Sequence, residues 1–184
     1  MKKIIIGLTG PLASGKGTVK DYMVKKYGAQ DLRFSTILRD VMKRLSIEIN
    51  RDNIIDLSTI LRQRFGQDLL AKVIAEDAKN FTADTIVIDG IRRMDDVKYL
   101  KEIPGFVLSS IDADPKVRFE RLVKRNENVG DDKKTFEEFL ADHERETEAS
   151  IPPVMRIANV HIDNTGTLEE LYAQVDKIVE DARK

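Results

Sequence analysis

Two hydrophobic rhythms alternate along the chain. Largely apolar runs occur at Ile4-Ile5-Ile6-Gly7-Leu8, at Thr85-Ile86-Val87-Ile88 and at Phe106-Val107-Leu108-Ser109-Ser110-Ile111-Asp112. Such runs are the mark of parallel strands buried on both faces. Shorter runs at Asp31–Phe34 and Val160–Asp163 predict a second and a fifth strand. Between them the apolar positions recur every three or four residues. Val19, Met23, Val24 and Tyr27 predict a helix from about Lys16, with Gly28 just past its end. Ile37, Leu38, Val41, Met42 and Leu45 predict a second helix, capped by Ser35 or Thr36. Asn50 to Asn53 reads as a polar turn, followed by helices from about Ile54 to Phe65 and from Asp68 to Lys79, with Gly66 between them. Val97 and Leu100 mark a short helix. Asp114-Pro115 opens another, carrying Val117, Phe119, Leu122 and Val123. After a polar stretch at 126–134, Thr135 and Glu138 form a capping box for an acidic helix to about Ser150, which Pro152-Pro153 stops. Leu168, Leu171, Val175, Ile178 and Val179 give the last helix. Strands alternating with helices, with no internal repeat and no linker, predict one α/β domain over 1–184 with a parallel sheet.

Composition changes that picture little. The chain has 184 residues, with 31 basic and 32 acidic side chains and a formal net charge of −1. No overall field favours nucleic acid or an anionic membrane. There is no cysteine, hence no disulfide and no Cys-based metal site. No apolar stretch is long enough to span a bilayer, and the N-terminus lacks a signal-peptide core, which predicts a cytoplasmic protein.

The chemistry lies at the carboxyl ends of the apolar runs. After the first comes Gly10-Pro11-Leu12-Ala13-Ser14-Gly15-Lys16-Gly17-Thr18, then a helix. Strand, glycine-rich loop and helix are the context of a phosphate-binding loop. Gly10 and Gly15 can take positive φ, which lets successive N–H groups point at an anion. The helix adds the positive end of its dipole, and Lys16 a mobile charge that can follow a phosphoryl group. Gly10-x4-Gly15-Lys16 fits the Walker A spacing, but Gly17 stands where a Ser or Thr is expected. Direct ligation of Mg²⁺ by Thr18 is therefore left open. Asp89 ends the third run and could hold Mg²⁺ through water. Arg92 and Arg93 directly after it suit a second anion. The helical insertion, about 35–80, carries Arg39 and Arg62 on otherwise apolar faces. Arg121 and Arg125, four residues apart, share a face of the helix after the fourth strand. Each arginine of the insertion taken alone is equally well explained by a solvated basic face, an explanation that the apolar surroundings of Arg39 and Arg62 weaken. His143, inside the acidic helix, reads as a solvated residue.

These residues resemble the P-loop nucleoside monophosphate kinase superfamily, with adenylate kinase and dephospho-CoA kinase as relatives, and above all the small adenylate-kinase-related proteins. Gly15-Lys16-Gly17-Thr18 is similar to the GKGT ending of the adenylate kinase loop. Phe34-Ser35-Thr36 with Arg39 resembles the start of that family's acceptor helix, at a shorter Thr-to-Arg spacing. Ile88-Asp89-Gly90-Ile91-Arg92-Arg93 resembles its Asp-Gly-Phe-Pro-Arg segment without the proline. Arg118, Arg121 and Arg125 resemble the lid helix. The resemblance implies a three-layer fold with a five-stranded parallel sheet in order 2-3-1-4-5. It also implies ATP and Mg²⁺, and a short lid at about 126–150.

Transfer of the γ-phosphoryl of ATP to a small phosphorylated acceptor, most simply a nucleoside monophosphate, follows as the expected activity. Gly10, Ala13, Ser14, Gly15, Lys16, Gly17, Thr18 and Arg121 would bind ATP, with Asn164 near the adenine. Lys16, Arg121 and Arg125 would surround the moving phosphoryl, and Asp89 would hold the metal. Ser35, Thr36, Arg39, Arg62, Arg92 and Arg93 would bind the acceptor. The partner is a small molecule rather than nucleic acid or membrane, and the protein a monomer or homodimer. A dephospho-CoA kinase-like enzyme is the near alternative; there a carboxylate just after the first strand usually serves as base, and its absence from Pro11-Leu12-Ala13 argues mildly against it. A P-loop ATPase or nucleotide switch is the alternative of a different class.

Overall fold

Strand β1, Ile4–Thr9, is buried at all six positions and lies at the centre of the sheet. In this computed structural model, which describes residues 2–125, 134–141 and 149–184, Ile5 lies opposite Ile86 on one side and Phe106 on the other. The remaining strands are β2 (Gln30–Arg33), β3 (Thr85–Asp89), β4 (Phe106–Asp112) and β5 (Val160–Asp163). Every pairing is parallel, and the order is β2-β3-β1-β4-β5, as the resemblance implies.

Successive side chains of a strand leave on opposite faces, so β1 feeds two cores. Ile4, Ile6 and Leu8 pack with Val87, Val19 and Met23 of α1 (Lys16–Tyr27) and with Leu171, Val175 and Val179 of α9 (Leu168–Arg183). Ile5 packs on the other face with Ile86 and Ile88 and with the insertion: α2 (Phe34–Arg44), α3 (Arg51–Phe65) and α4 (Leu69–Asn80). Each isoleucine so buried contributes about 1.5–3 kcal/mol. After β3 come α5 (Met94–Val97) and a 3₁₀ turn (Leu100–Glu102); after β4 come α6 (Pro115–Arg125), α7 (Phe136–Ala141) and α8 (Ile151–Arg156).

The structure corrects three of the expected boundaries. Phe34 belongs to α2, not to the second strand. Its ring is 7% exposed and packs in one core with Leu38, so β2 runs straight into the helix. Ser35 and Thr36 therefore lie inside the first turn of α2 and do not cap it. Arg33, extended at φ −140° and ψ 140°, precedes the helix without a side-chain cap. Asn50 is no turn residue but the cap of α3, its side chain accepting from the Asn53 amide at 2.9 Å. Pro152 and Pro153 sit in the first turn of α8, where a proline costs no hydrogen bond, and the helix forms because Ile151 and Val154 are buried. The capping box forms as expected: Glu138 N–H donates to Thr135 Oγ1 at 3.2 Å and Thr135 N–H to Glu138 Oε2 at 2.8 Å.

Candidate active site

In an all-parallel sheet the segments that follow the strands all emerge at one edge. The phosphate-binding loop follows β1; Arg33, Ser35 and Thr36 follow β2; Asp89 to Arg93 close β3; α6 follows β4 and Asn164 follows β5. The topology thus brings most of the expected site residues to one crevice.

Within the loop, Gly10 has φ 148° and Gly15 φ 104°, both in the region that favours glycine. Neither can carry a side chain. A Cβ on Gly10 would lie 2.0 Å from the Ile111 carbonyl oxygen, and one on Gly15 would lie 2.0 Å from Asn164 Nδ2. Ala13 also has positive φ, at 60°. A non-glycine residue so held stores on the order of 1–3 kcal/mol, strain that clusters where a backbone must present its amides. The Lys16 ammonium donates to the loop's own carbonyls, Gly10 O at 2.6 Å and Pro11 O at 2.8 Å. Thr18 is half-buried one turn into α1, and Gly17 is exposed.

Two side chains brace the loop from outside. Asn164, 4% exposed, donates through Nδ2 to Ser14 O at 2.8 Å. That contact places it under the phosphate loop, not free toward a base. Arg118, 6% exposed, donates through Nε to Ala113 O at 3.1 Å and through Nη1 to Leu12 O at 3.4 Å, with Asp112 at 3.5 Å. It fastens α6 to the loop. Arg121, one turn further on, differs: its Nη1 is buried and has no hydrogen-bond partner among the described residues. An unpartnered buried guanidinium nitrogen costs about 1–3 kcal/mol, a cost an anion would remove. Arg125 ends α6 and is exposed.

Asp89 is half-buried and pairs in register with Arg33. It shares a face with Val87, which packs against Val19 and Met23 of α1, so the carboxylate leaves the sheet on the side of the loop-bearing helix. Arg33 is held above its ordinary range, first by its hydrogen bond to Asp31 at 2.8 Å, then by the charges of Asp31 and Asp89, against partial burial. Gly90, at φ 90°, turns the chain sharply after Asp89. Arg92 is exposed and Arg93 half-buried at the start of α5; Arg39 and Thr36 are exposed on α2, and Ser35 is half-buried.

Arg62 does not stand in the crevice as expected. Its side chain is 7% exposed, and Nη2 bridges Asp96 Oδ1 at 2.9 Å while Nη1 donates to Gln67 O. Asp96, Arg33 and the bracing contacts of Arg118 are not among the residues expected at the site. The signal for Asp96 was its place three residues after Arg93, the N3 position where an acid reaches back to a helix start. A cleft of about 370 Å³ beside Pro11 is lined also by Asp112, Arg118, Met155 and Arg156, a further cation at the sheet's carboxyl edge. The expected lid, about 126–150 and including His143, lies largely outside the described residues.

The contrast between Gly15 and Gly17 gives a direct check on the loop. Gly15→Ala should lower the melting stability by about 1–3 kcal/mol through its φ of 104° and its clash with Asn164, and weaken ATP at least about tenfold. Gly17→Ala meets nothing within 4 Å and should stabilise α1 by about 0.5–1 kcal/mol. Thermal melts with calorimetric titration of ATP would show both.

A family model described as an AAA domain matches residues 9–150. Among curated relatives, a UPF0200 protein of Methanocaldococcus jannaschii is 29% identical over 97% of this chain and 90% of its own length. A UPF0200 protein of Thermococcus onnurineus is 30% identical over 96% of this chain and 97% of its own length. Among solved structures, a shikimate kinase from Bacteroides thetaiotaomicron superposes with a TM-score of 0.64 at 15% identity, over 98% of this chain and 99% of that one. A gluconokinase from Sinorhizobium meliloti does so with a TM-score of 0.56 at 13% identity, over 98% and 94%. These likenesses show the P-loop kinase fold.

Proposed function

Since the chain belongs to the AAA-domain family, and to the UPF0200 proteins by likeness along nearly its whole length, we propose that it is a phosphotransferase moving the γ-phosphoryl of ATP to a small phosphorylated acceptor, a nucleoside monophosphate in the first instance. One observation carries this reading: the buried Nη1 of Arg121, which no described residue partners, on the helix that Arg118 fastens to the phosphate loop. A loop that binds phosphate for structure alone has no need of a second, desolvated cation there.

The chain's own groups supply what such transfer requires, which is positioning and charge neutralisation more than covalent chemistry. The amides after Gly10 and the N-terminus of α1 bind the phosphate chain. Lys16 exchanges the Gly10 and Pro11 carbonyls for phosphoryl oxygens, and Arg121 and Arg125 meet the charge from the α6 side. ATP supplies the phosphoryl group, and Mg²⁺, when bound, supplies the remaining neutralisation. Asp89 lies on the face where it would hold that ion through water. Among the described residues no group of three or more His, Cys, Asp or Glu could hold a metal unaided. Water and phosphate oxygens would therefore complete its shell, as is usual for Mg²⁺. Arg39, Ser35 and Thr36 on α2 and Arg92 after the Gly90 turn face the acceptor. No described helix is long and apolar enough to cross a membrane, and a cytoplasmic location is part of this proposal.

Competition with a dinucleotide that joins two adenosines through a polyphosphate tests the reading. A two-substrate kinase should bind it at least about a hundredfold more tightly than ATP, since the second half binds with the effective concentration of a tethered ligand. An ATPase or switch would bind the two alike, and that result would reject an adenylate acceptor site.

Arg92 offers a finer check. A guanidinium can grip an acceptor phosphate through two parallel bonds, which lysine cannot. Arg92→Ala, and nearly as much Arg92→Lys, should weaken the acceptor by about 2–5 kcal/mol and leave ATP affinity almost unchanged. Arg93 should matter less. Equal loss of both ligands in calorimetry would contradict two separate anion sites.

A further inference from the structure

Between the insertion and the arginine turn lies a buried carboxylate that the proposed chemistry does not use. Asp96 is 2% exposed. Its Oδ1 accepts from Arg62 Nη2 of α3 at 2.9 Å. Its Oδ2 accepts from two consecutive main-chain amides, Arg92 N–H at 3.1 Å and Arg93 N–H at 3.0 Å. The Asp96 amide in turn donates to Arg93 O at 3.0 Å, which closes the turn.

A buried carboxylate needs a full set of donors and a counter-charge to remain ionised. Arg62 supplies the charge, and the two amides supply the donors. The direction of the bonds matters more than their strength. Gly90 turns the chain out of β3 at φ 90°, and Ile91, 1% exposed, packs in the core and anchors the chain up to that point; beyond it the Arg92 and Arg93 peptides are held by the carboxylate. Helix α5, which the turn enters, is four residues long, too short to set the turn by itself. Two adjacent amides aimed at one oxygen fix the peptide planes of Arg92 and Arg93, and with them the directions in which both side chains leave the backbone. A second tie runs in parallel: Asp68, at the start of α4, accepts from Lys98 Nζ at 2.8 Å and from Tyr99 Oη at 2.7 Å. The insertion that carries the acceptor helix is thus fastened at two points to the segment that carries Arg92 and Arg93.

We propose that Asp96 is a positioning residue for acceptor binding: it orients the Arg92–Arg93 turn through their amides, and Arg62 serves it as counter-charge rather than serving the acceptor. This rests on the proposed role of Arg92 as an acceptor ligand.

The test compares two double variants. Both carry Arg62→Met, which removes the cation without a large change in volume, so that neither leaves a buried charge unpaired. In Arg62→Met with Asp96→Asn an acceptor oxygen remains for the two amides; in Arg62→Met with Asp96→Ala none does. AMP and ATP are titrated calorimetrically as probes of the two anion sites, and amide hydrogen exchange is followed at Arg92 and Arg93. The expected result is AMP binding within about threefold of the wild type for the Asn variant and at least about tenfold weaker for the Ala variant. ATP affinity should match in the two, and exchange at Arg92 and Arg93 should be faster only in the Ala variant. A carboxylate that merely holds the fold would also give faster exchange in the Ala variant but the same AMP affinity in both, and equal AMP affinity would overturn the proposal. If the wild type binds no AMP, the proposed acceptor class falls and the role of Asp96 in acceptor binding falls with it, an outcome distinct from AMP bound equally by the two variants.

Discussion

Lys16→Ala should cut phosphoryl-transfer turnover by about a hundredfold or more while the protein still folds. Lys16 is the cation carried by the loop itself, and its Nζ donates to Gly10 O and Pro11 O at 2.6 and 2.8 Å. Those carbonyls hold the ammonium in place until phosphoryl oxygens replace them. Removing one preorganised cation from a site where negative charge develops costs about two or three orders of magnitude in rate. The folding cost is small by comparison, since each of these hydrogen bonds contributes about 0.5–1.5 kcal/mol net. Lys16→Arg should not rescue the rate, because a planar fork cannot follow the moving group as a flexible ammonium does. Single-turnover kinetics with melting curves on the same samples would show the separation. Near-wild-type turnover in Lys16→Ala would contradict phosphoryl transfer at this loop.

Arg121→Ala should also lose about a hundred- to a thousandfold in turnover, yet with the opposite effect on stability. The buried Nη1 has no partner among the described residues of the free protein, so its removal relieves a desolvation cost of about 1–3 kcal/mol that no described residue repays without ligand. The variant without nucleotide should melt at or above the wild-type temperature. Arg118→Ala is the control. Arg118 is 6% exposed and holds Ala113 O and Leu12 O, so its loss should lower the melting temperature. Parallel losses of stability and turnover in Arg121→Ala would show it to be a second brace and not a ligand of the phosphoryl group.

These two arginines also show where sequence reasoning stops. They stand three apart on one helix, so they share a face and a residue type, and no periodicity separates the one spent on backbone carbonyls from the one left with a buried open donor. Arg62 is the same case across a longer span. Its apolar surroundings marked it as unusual, but its partner Asp96 lies 34 positions away in the chain, and only the folded contact reveals the pair. Strands β1, β3 and β4 were legible because each is a largely apolar run bounded by turn residues; β5 keeps its expected bounds, and β2, whose one apolar residue is Leu32, ends one residue earlier than expected. Some helix starts were not legible, because capping polar residues compete with burial. At Phe34 burial prevails over the Ser35 and Thr36 caps, and at Ile151 it draws two prolines into a first turn. The phosphate loop was legible because its glycines answer a local demand, positive φ with no room for a Cβ, that no distant contact can supply.

The decisive measurement tracks the label from γ-labelled ATP in the presence of the nucleoside monophosphates. Transfer to an acceptor should place it on the terminal phosphate of a nucleoside diphosphate, with inorganic phosphate a minor product and both signals lost in Lys16→Ala. Label found only in inorganic phosphate, at a rate indifferent to every acceptor offered, would contradict a phosphotransferase and leave an ATPase.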